Sequence, residues 1–231
     1  MMSNRYSLLP SAHRSPNYGG LLFVLIVLIV VAPSATGPGA MFIVEALLGL
    51  VLVAAAYSAA AQGGHSWPFL ALTTLTLLVR WSAVFAKSAG FELVSSAITV
   101  TWIVYAIVIV GKQLFVAREV TTNMIYAAVI AYLLAAIAFS FVYEVIELQQ
   151  PGSFSGLPDG AGPLALGDAL LYFSLLSLTT VGYGDIVPVS ALARPLAVLE
   201  AVFGTLYLAV VIARLVGLHI AAAISGEKDG P

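Results

Sequence analysis

Apolar residues run almost unbroken through five stretches, 41–61, 67–87, 91–111, 123–146 and roughly 190–224, and through a shorter sixth, 21–32. A bilayer core about 30 Å thick is crossed by about 20 helical residues, so each of the five is long enough to span it. The sixth reaches that length only with help from 18–20 and 33–35. The pattern predicts an all-α membrane protein with six transmembrane helices. Residues 1–17 form a tail, 18–111 a four-helix peripheral bundle, 112–122 a linker, 123–224 a second membrane unit and 225–231 a closing tail. A second reading of 21–32 stays open: Arg5 and Arg14 precede an apolar run of signal-peptide length with small residues after it.

Composition supports a bilayer as the solvent. Of 231 residues, 61% are hydrophobic and 9% charged, more apolar surface than a soluble domain of this length can bury. The formal net charge of -2 includes no basic run, so neither nucleic acid nor an anionic lipid headgroup is indicated as a specific partner. Cysteine is absent, and His13, His65 and His219 lie too far apart for metal-ligand spacing. With six alternating spans, Arg5, Arg14, Lys112, Arg118, Arg214 and Lys228 share one face, with Lys87 and Arg194 on the other. The positive-inside rule makes the first face cytoplasmic, with both termini inside, in a multi-pass protein of the plasma (inner) membrane.

One segment departs from plain spans. Residues 149–167 are rich in Pro and Gly and read as an extracellular loop. The apolar stretch after it, 168–179, is helical in character, too short to cross, and able to enter partway if protein surrounds its continuation. Asp168 is its expected N-cap.

That continuation is Thr179-Thr180-Val181-Gly182-Tyr183-Gly184-Asp185. A cation leaving water must recover its hydration energy. Backbone carbonyls supply it if successive residues turn their oxygens to one axis, through backbone angles that glycine visits cheaply. Gly182 and Gly184 alternate with side-chain residues accordingly. Thr180 adds a hydroxyl, while Val181 and Tyr183 point away and brace the strand. A Gly-Tyr-Gly turn that merely joined two helices would need neither the half-length helix nor the threonine pair before it.

The string Thr180 to Asp185 resembles the potassium channel family, over a module of outer helix, pore helix, filter and inner helix covering about 123–224. The resemblance implies a homotetramer, since the chain supplies one filter loop and no internal repeat. It implies K+ as the bound ion at Thr180, Val181, Gly182 and Tyr183, with no other cofactor and membrane lipid as the surrounding partner. The C-terminal end of the pore helix at Thr179 would then aim its negative dipole end at the ion. Glu144, Glu147, Asp159, Asp168 and Asp185 would enrich cations at the outer mouth, against Lys87 and Arg194.

Departures from the family bear on the filter's support. Many relatives place tryptophans on the pore helix and a carboxylate behind the filter; the aligned positions here are Tyr172, Phe173 and Leu176. Tyr172 can donate to Asp185, and Glu200, an intramembrane carboxylate, could supply the missing group from the last span. Its bland alternative is a neutral glutamate at a subunit contact. Gly204 is a candidate gating hinge, or equally a site of close helix packing. Family spacing from Gly204 puts Thr205, Leu208 and Ile212 along an inner cavity.

In voltage-gated relatives the fourth span carries regularly spaced basic residues, each worth about 2.3 kcal/mol per 100 mV on crossing the field. Residues 91–111 contain no Lys or Arg. Strong voltage sensing is not expected. Glu45 and Arg80 lie about 6 Å and about 10 Å from the same ends of adjacent spans, by helical rise, and are predicted to pair as a packing device. Residues 225–231 are too few to form a ligand-sensing domain. The predicted function is passive, potassium-selective permeation. A non-conducting sensor or accessory subunit is the alternative. A secondary transporter would show paired broken helices, and no nucleophile and base assemble into an enzyme site.

Overall fold

Nothing inside the apolar stretches interrupts a helical backbone ladder. Pro68, Pro163 and Pro195 all fall in the first turn of a helix, where the missing N–H has no intrahelical acceptor. The structure, a computed structural model, describes residues 18–35, 39–60, 67–86, 89–116, 120–158, 160 and 162–228. Arg5, Arg14, His13, His65, Lys87, Arg118 and Asp159 lie outside the described residues.

The helices are α1 (Tyr18–Val31, followed by a 3-10 turn Ala32–Ser34), α2 (Ala40–Ala60), α3 (Trp67–Ala86) and α4 (Ala89–Val116). After them come α5 (Thr122–Gln149), α6 (Pro163–Leu178) and α7 (Ala193–Lys228). Two short strands, β1 (Phe154–Ser155) and β2 (Val187–Pro188), pair antiparallel, Phe154 opposite Pro188 and Ser155 opposite Val187.

The all-helical membrane architecture is as predicted, and among the described residues four helices, α2, α4, α5 and α7, are long and apolar enough to cross a bilayer. Helices α1 and α3 form where spans were expected and are not among those four. Several boundaries differ from expectation. Helix α6 begins at Pro163, so the end of the predicted loop is helical. Its N-cap is Gly162 with proline at the first helical position, and Asp168 is not the cap but a residue further along. Proline's fixed φ starts the helix without a side-chain oxygen. Helix α4 runs through Val116 into the predicted linker, and α7 runs to Lys228 into the predicted tail.

Two apolar clusters hold these elements. The larger gathers α1, α2, α4 and α5 around Tyr18, Leu25, Leu52, Trp102 and Ile130. Trp102 stacks on Phe69 of α3, with centroids 5.1 Å apart, and its indole N–H donates to Thr73 Oγ1 at 2.7 Å, so its one polar atom is satisfied in the core. The smaller cluster surrounds Tyr143, Phe154 and Phe173, three rings in edge-to-face contact at 5.3 Å. It joins the top of α5, the β1 loop and α6, and so fixes the short helix on which the candidate site is built.

Candidate ion-conducting site

The last four carbonyls of any helix lack intrahelical donors, and in α6 each one finds a partner that shapes the segment beyond the helix. Leu175 O accepts from Thr179 N at 3.0 Å and Ser177 O from Thr180 N at 3.1 Å. Leu176 O accepts from both Val181 N (2.9 Å) and Gly182 N (3.2 Å), and Leu178 O from the Tyr132 hydroxyl at 2.9 Å. Thr179 is the C-cap, its hydroxyl returning to Leu175 O at 2.6 Å. In a trans peptide the N–H and the preceding C=O point in opposite directions, and no cis bond occurs among the described residues. Turning the amides of 180, 181 and 182 towards α6 therefore turns the carbonyls of Thr179, Thr180 and Val181 away from it.

The conformation alternates along the same segment. Thr180, Gly182 and Gly184 have φ of 60°, 50° and 80°, and Thr180 is the one non-glycine residue with positive φ among those described. Such a conformation costs a threonine about 1–2 kcal/mol, and it persists here because the amides on either side of it are fixed.

The far end of the segment is anchored twice. The Tyr172 hydroxyl donates to Asp185 Oδ2 at 2.8 Å, and this bond holds the Asp185 carboxyl below the usual aspartate range. Beyond it, β2 pairs with β1, and Ser153 O accepts from Val189 N at 2.8 Å. Glu147 accepts from Gly152 N (2.7 Å) and Phe154 N (3.1 Å), so it organises the β1 loop. Gly156, at φ 88°, packs against the Asp185 carbonyl, where a side chain would collide. Val181 and Tyr183 are largely open to the outside of the chain, 49% and 74% exposed.

The hydrogen bonds of Glu200 go to α5 and α6, and that of Asp185 to Tyr172. Glu200 is fully buried, accepts from Tyr143 Oη at 2.6 Å, and is hydrogen-bonded to Ser174 Oγ, which also lies 2.7 Å from Ala136 O. One turn along, Gly204 faces the end of α6. A methyl group there would overlap the Leu178 carbonyl oxygen and stand 3.0 Å from its carbon. Helix α7 is continuous through Gly204, and of its two readings the structure displays the close packing. Thr205, Leu208 and Ile212 are exposed on α7, and Thr205 Oγ1 bonds back to Ala201 O at 3.0 Å. Further along α7, Tyr207 Oη reaches Ala128 O at 2.7 Å, and Arg214 Nε bonds to Leu114 O, an orphan carbonyl at the end of α4.

The structure brings Glu45 and Arg80 together. Arg80 Nε donates to Glu45 Oε2 at 2.8 Å, a second guanidinium nitrogen bonds to Oε1, and the guanidinium lies 4.9 Å from the Phe141 ring centroid on α5. Both border a cavity of about 120 Å³ that Glu92, Glu144 and Asp168 also line. Glu144, which accepts from Ser96 Oγ at 3.3 Å, and Asp168 thus face the junction of the peripheral helices with α6.

Sequence reasoning does not single out Tyr132, Tyr143 or Ser174. A polar residue recurring on otherwise apolar helices is the available signal, but it does not say which backbone carbonyl a hydroxyl will meet.

Residues 125–219 match the family model described as "Ion channel". Over 113 residues the chain is 35% identical to the inward rectifier potassium channel Kirbac3.1 of Paramagnetospirillum magnetotacticum, covering 49% of this chain and 29% of that one. Over 101 residues it is 29% identical to protein LctB of Bacillus caldotenax, covering 43% of this chain and 75% of LctB. No solved structure matches it significantly. The match falls within helices α5 to α7, which are thus similar to an ion channel domain. The resemblance to the potassium channel family that the sequence suggested is borne out over that domain.

Proposed function

We propose that the chain is one of four identical subunits of a potassium-selective channel, with the carbonyls of Thr180, Val181, Gly182 and Tyr183 and the Thr180 hydroxyl replacing the ion's water. The observation that carries this reading is the direction of the segment's amides. With 180–182 bonded into the end of α6, the carbonyls of Thr179, Thr180 and Val181 are turned to the opposite side, and two of these, Thr180 and Val181, are among the four proposed ligands. Alternating φ at Thr180, Gly182 and Gly184 supports the same reading. The exposed Val181 and Tyr183 favour a ring of copies, because a tyrosine that braces a strand needs a surface to lean on, and a neighbouring subunit would supply it. Fourfold assembly would also cover the apolar face of α7 and place Thr205, Leu208 and Ile212 along an inner cavity.

Permeation is passive and not strongly voltage-dependent in this reading, since Lys112, near the end of α4, is that helix's one basic residue. Six spans, cytoplasmic termini and a plasma-membrane location complete it. In proteoliposomes of the full chain, a potassium gradient should drive flux that sodium does not support, and Gly182→Val should abolish it. Intact tetramers that pass neither ion would overturn the reading in favour of a non-conducting sensor.

A further inference from the structure

The proton count around Glu200 does not close for a carboxylate. Ser174 Oγ has one proton and two oxygen neighbours, Ala136 O and Glu200 Oε1. A backbone carbonyl can only accept, so the serine proton belongs on the Ala136 side or leaves two lone-pair oxygens facing each other at 2.7 Å. If it goes to Ala136, the contact between Ser174 and Glu200 needs a proton of its own, and the carboxyl is the one group left to carry it. The other oxygen, Oε2, is already served by Tyr143 Oη. No cation is bonded to Glu200 among the described residues, where the ion pair is Glu45 with Arg80. A fully buried carboxylate without a cation is costly.

We infer that Glu200 is carried as the neutral acid and is a positioning residue for the filter, passing a proton-ordered chain from α7 through Ser174 of α6 to the Ala136 carbonyl of α5. Ser174 and Leu178 are one turn apart on α6, Ala136 and Tyr132 one turn apart on α5, and Glu200 and Gly204 one turn apart on α7. Two matched rungs therefore cross the same three helices: Glu200, Ser174 and Ala136 above, and Gly204, Leu178 and Tyr132 below. The lower rung ends on Leu178, immediately before the segment whose amides set the carbonyl direction. Fixing α6 in rotation and height is what the upper rung contributes. The positioning role rests on the channel reading proposed above; the protonation state does not.

The test uses the reconstituted full chain. Infrared spectra of wild type and Glu200→Gln at neutral pH should differ by the carbonyl band of one protonated carboxylic acid, present in wild type and absent in the variant. Gln keeps one donor and one acceptor at these positions, so Glu200→Gln should retain the potassium-over-sodium flux ratio. Ser174→Ala and Glu200→Ala should lower that ratio by about tenfold, the scale of one buried polar group left unpaired. If the difference spectrum shows a carboxylate instead, the neutral-acid assignment is overturned whether or not the protein conducts. If the band is present but Gln lowers the ratio as far as Ala, the positioning role is overturned. A wild type that shows the band and passes no ions defeats the channel reading, and the positioning role with it, while the protonation state survives.

Discussion

The hydroxyl of Tyr132, midway along α5, donates to the carbonyl oxygen of Leu178 at 2.9 Å, closing the last open acceptor at the end of α6. The other three terminal carbonyls are taken by the backbone of 179–182, so this bond completes the set without competing for an amide of that segment. Tyr132→Phe keeps the ring, which lies 5.5 Å from Tyr207, and removes only the donor. We expect a loss of about 0.5–1.5 kcal/mol, measured by denaturant unfolding in detergent, as for one removed hydrogen bond. A variant as stable as wild type would show that Leu178 O finds another donor.

Gly204 admits two readings that predict opposite signs. A glycine kept for bending an otherwise uncrowded helix gains about 1 kcal/mol of helix stability when changed to alanine. A glycine kept because α6 abuts it loses about 1–3 kcal/mol through overpacking. With its added methyl 3.1 Å from Leu178 Cδ1 and overlapping the backbone behind it, the second outcome is expected. Thermal unfolding of Gly204→Ala decides the sign.

Asp185 is fully exposed in the chain, and the hydrogen bond from Tyr172 favours its charged form. A carboxyl depressed in the folded state contributes stability that is present above its unfolded value of about 3.9 and is lost as pH falls through the folded value. Tyr172→Phe should move that loss to higher pH. Potassium flux measured against falling external pH should therefore begin to decline earlier in Tyr172→Phe than in wild type. Superimposable profiles would mean that Asp185 does not set the acid limb.

Legibility in the sequence depends on how local each feature is. The string from Thr180 to Asp185 is a run of adjacent residues whose backbone demands are written in its glycines, and the long helices α2, α4, α5 and α7 follow from apolar length. The start of α6 is misplaced by sequence because Asp168 is a good capping residue, whereas the structure uses the proline five positions earlier. The partners of Glu200 are illegible for a different reason: Tyr143 and Ser174 come from two other helices, and helix packing that brings them together is not written in any local run of residues. Glu147 resembles a solvated loop charge, because a carboxylate that gathers two amides from the next loop carries no mark in the sequence.

Arg80 and Glu45 join α3 to α2 with side chains only 13% and 10% exposed, and the same guanidinium lies against Phe141 of α5. At that depth each charge depends on the other, so removing one leaves its partner buried and unpaired. Single substitutions Arg80→Ala and Glu45→Ala are each expected to cost about 3–5 kcal/mol, and the double substitution less than their sum by the coupling between them. A double-mutant cycle on thermal or denaturant stability should return a coupling of about 1–3 kcal/mol. Full additivity would mean that the two charges are independently satisfied, Arg80 by Thr99 and Phe141, and the pair would then have no part in holding α2 to α3.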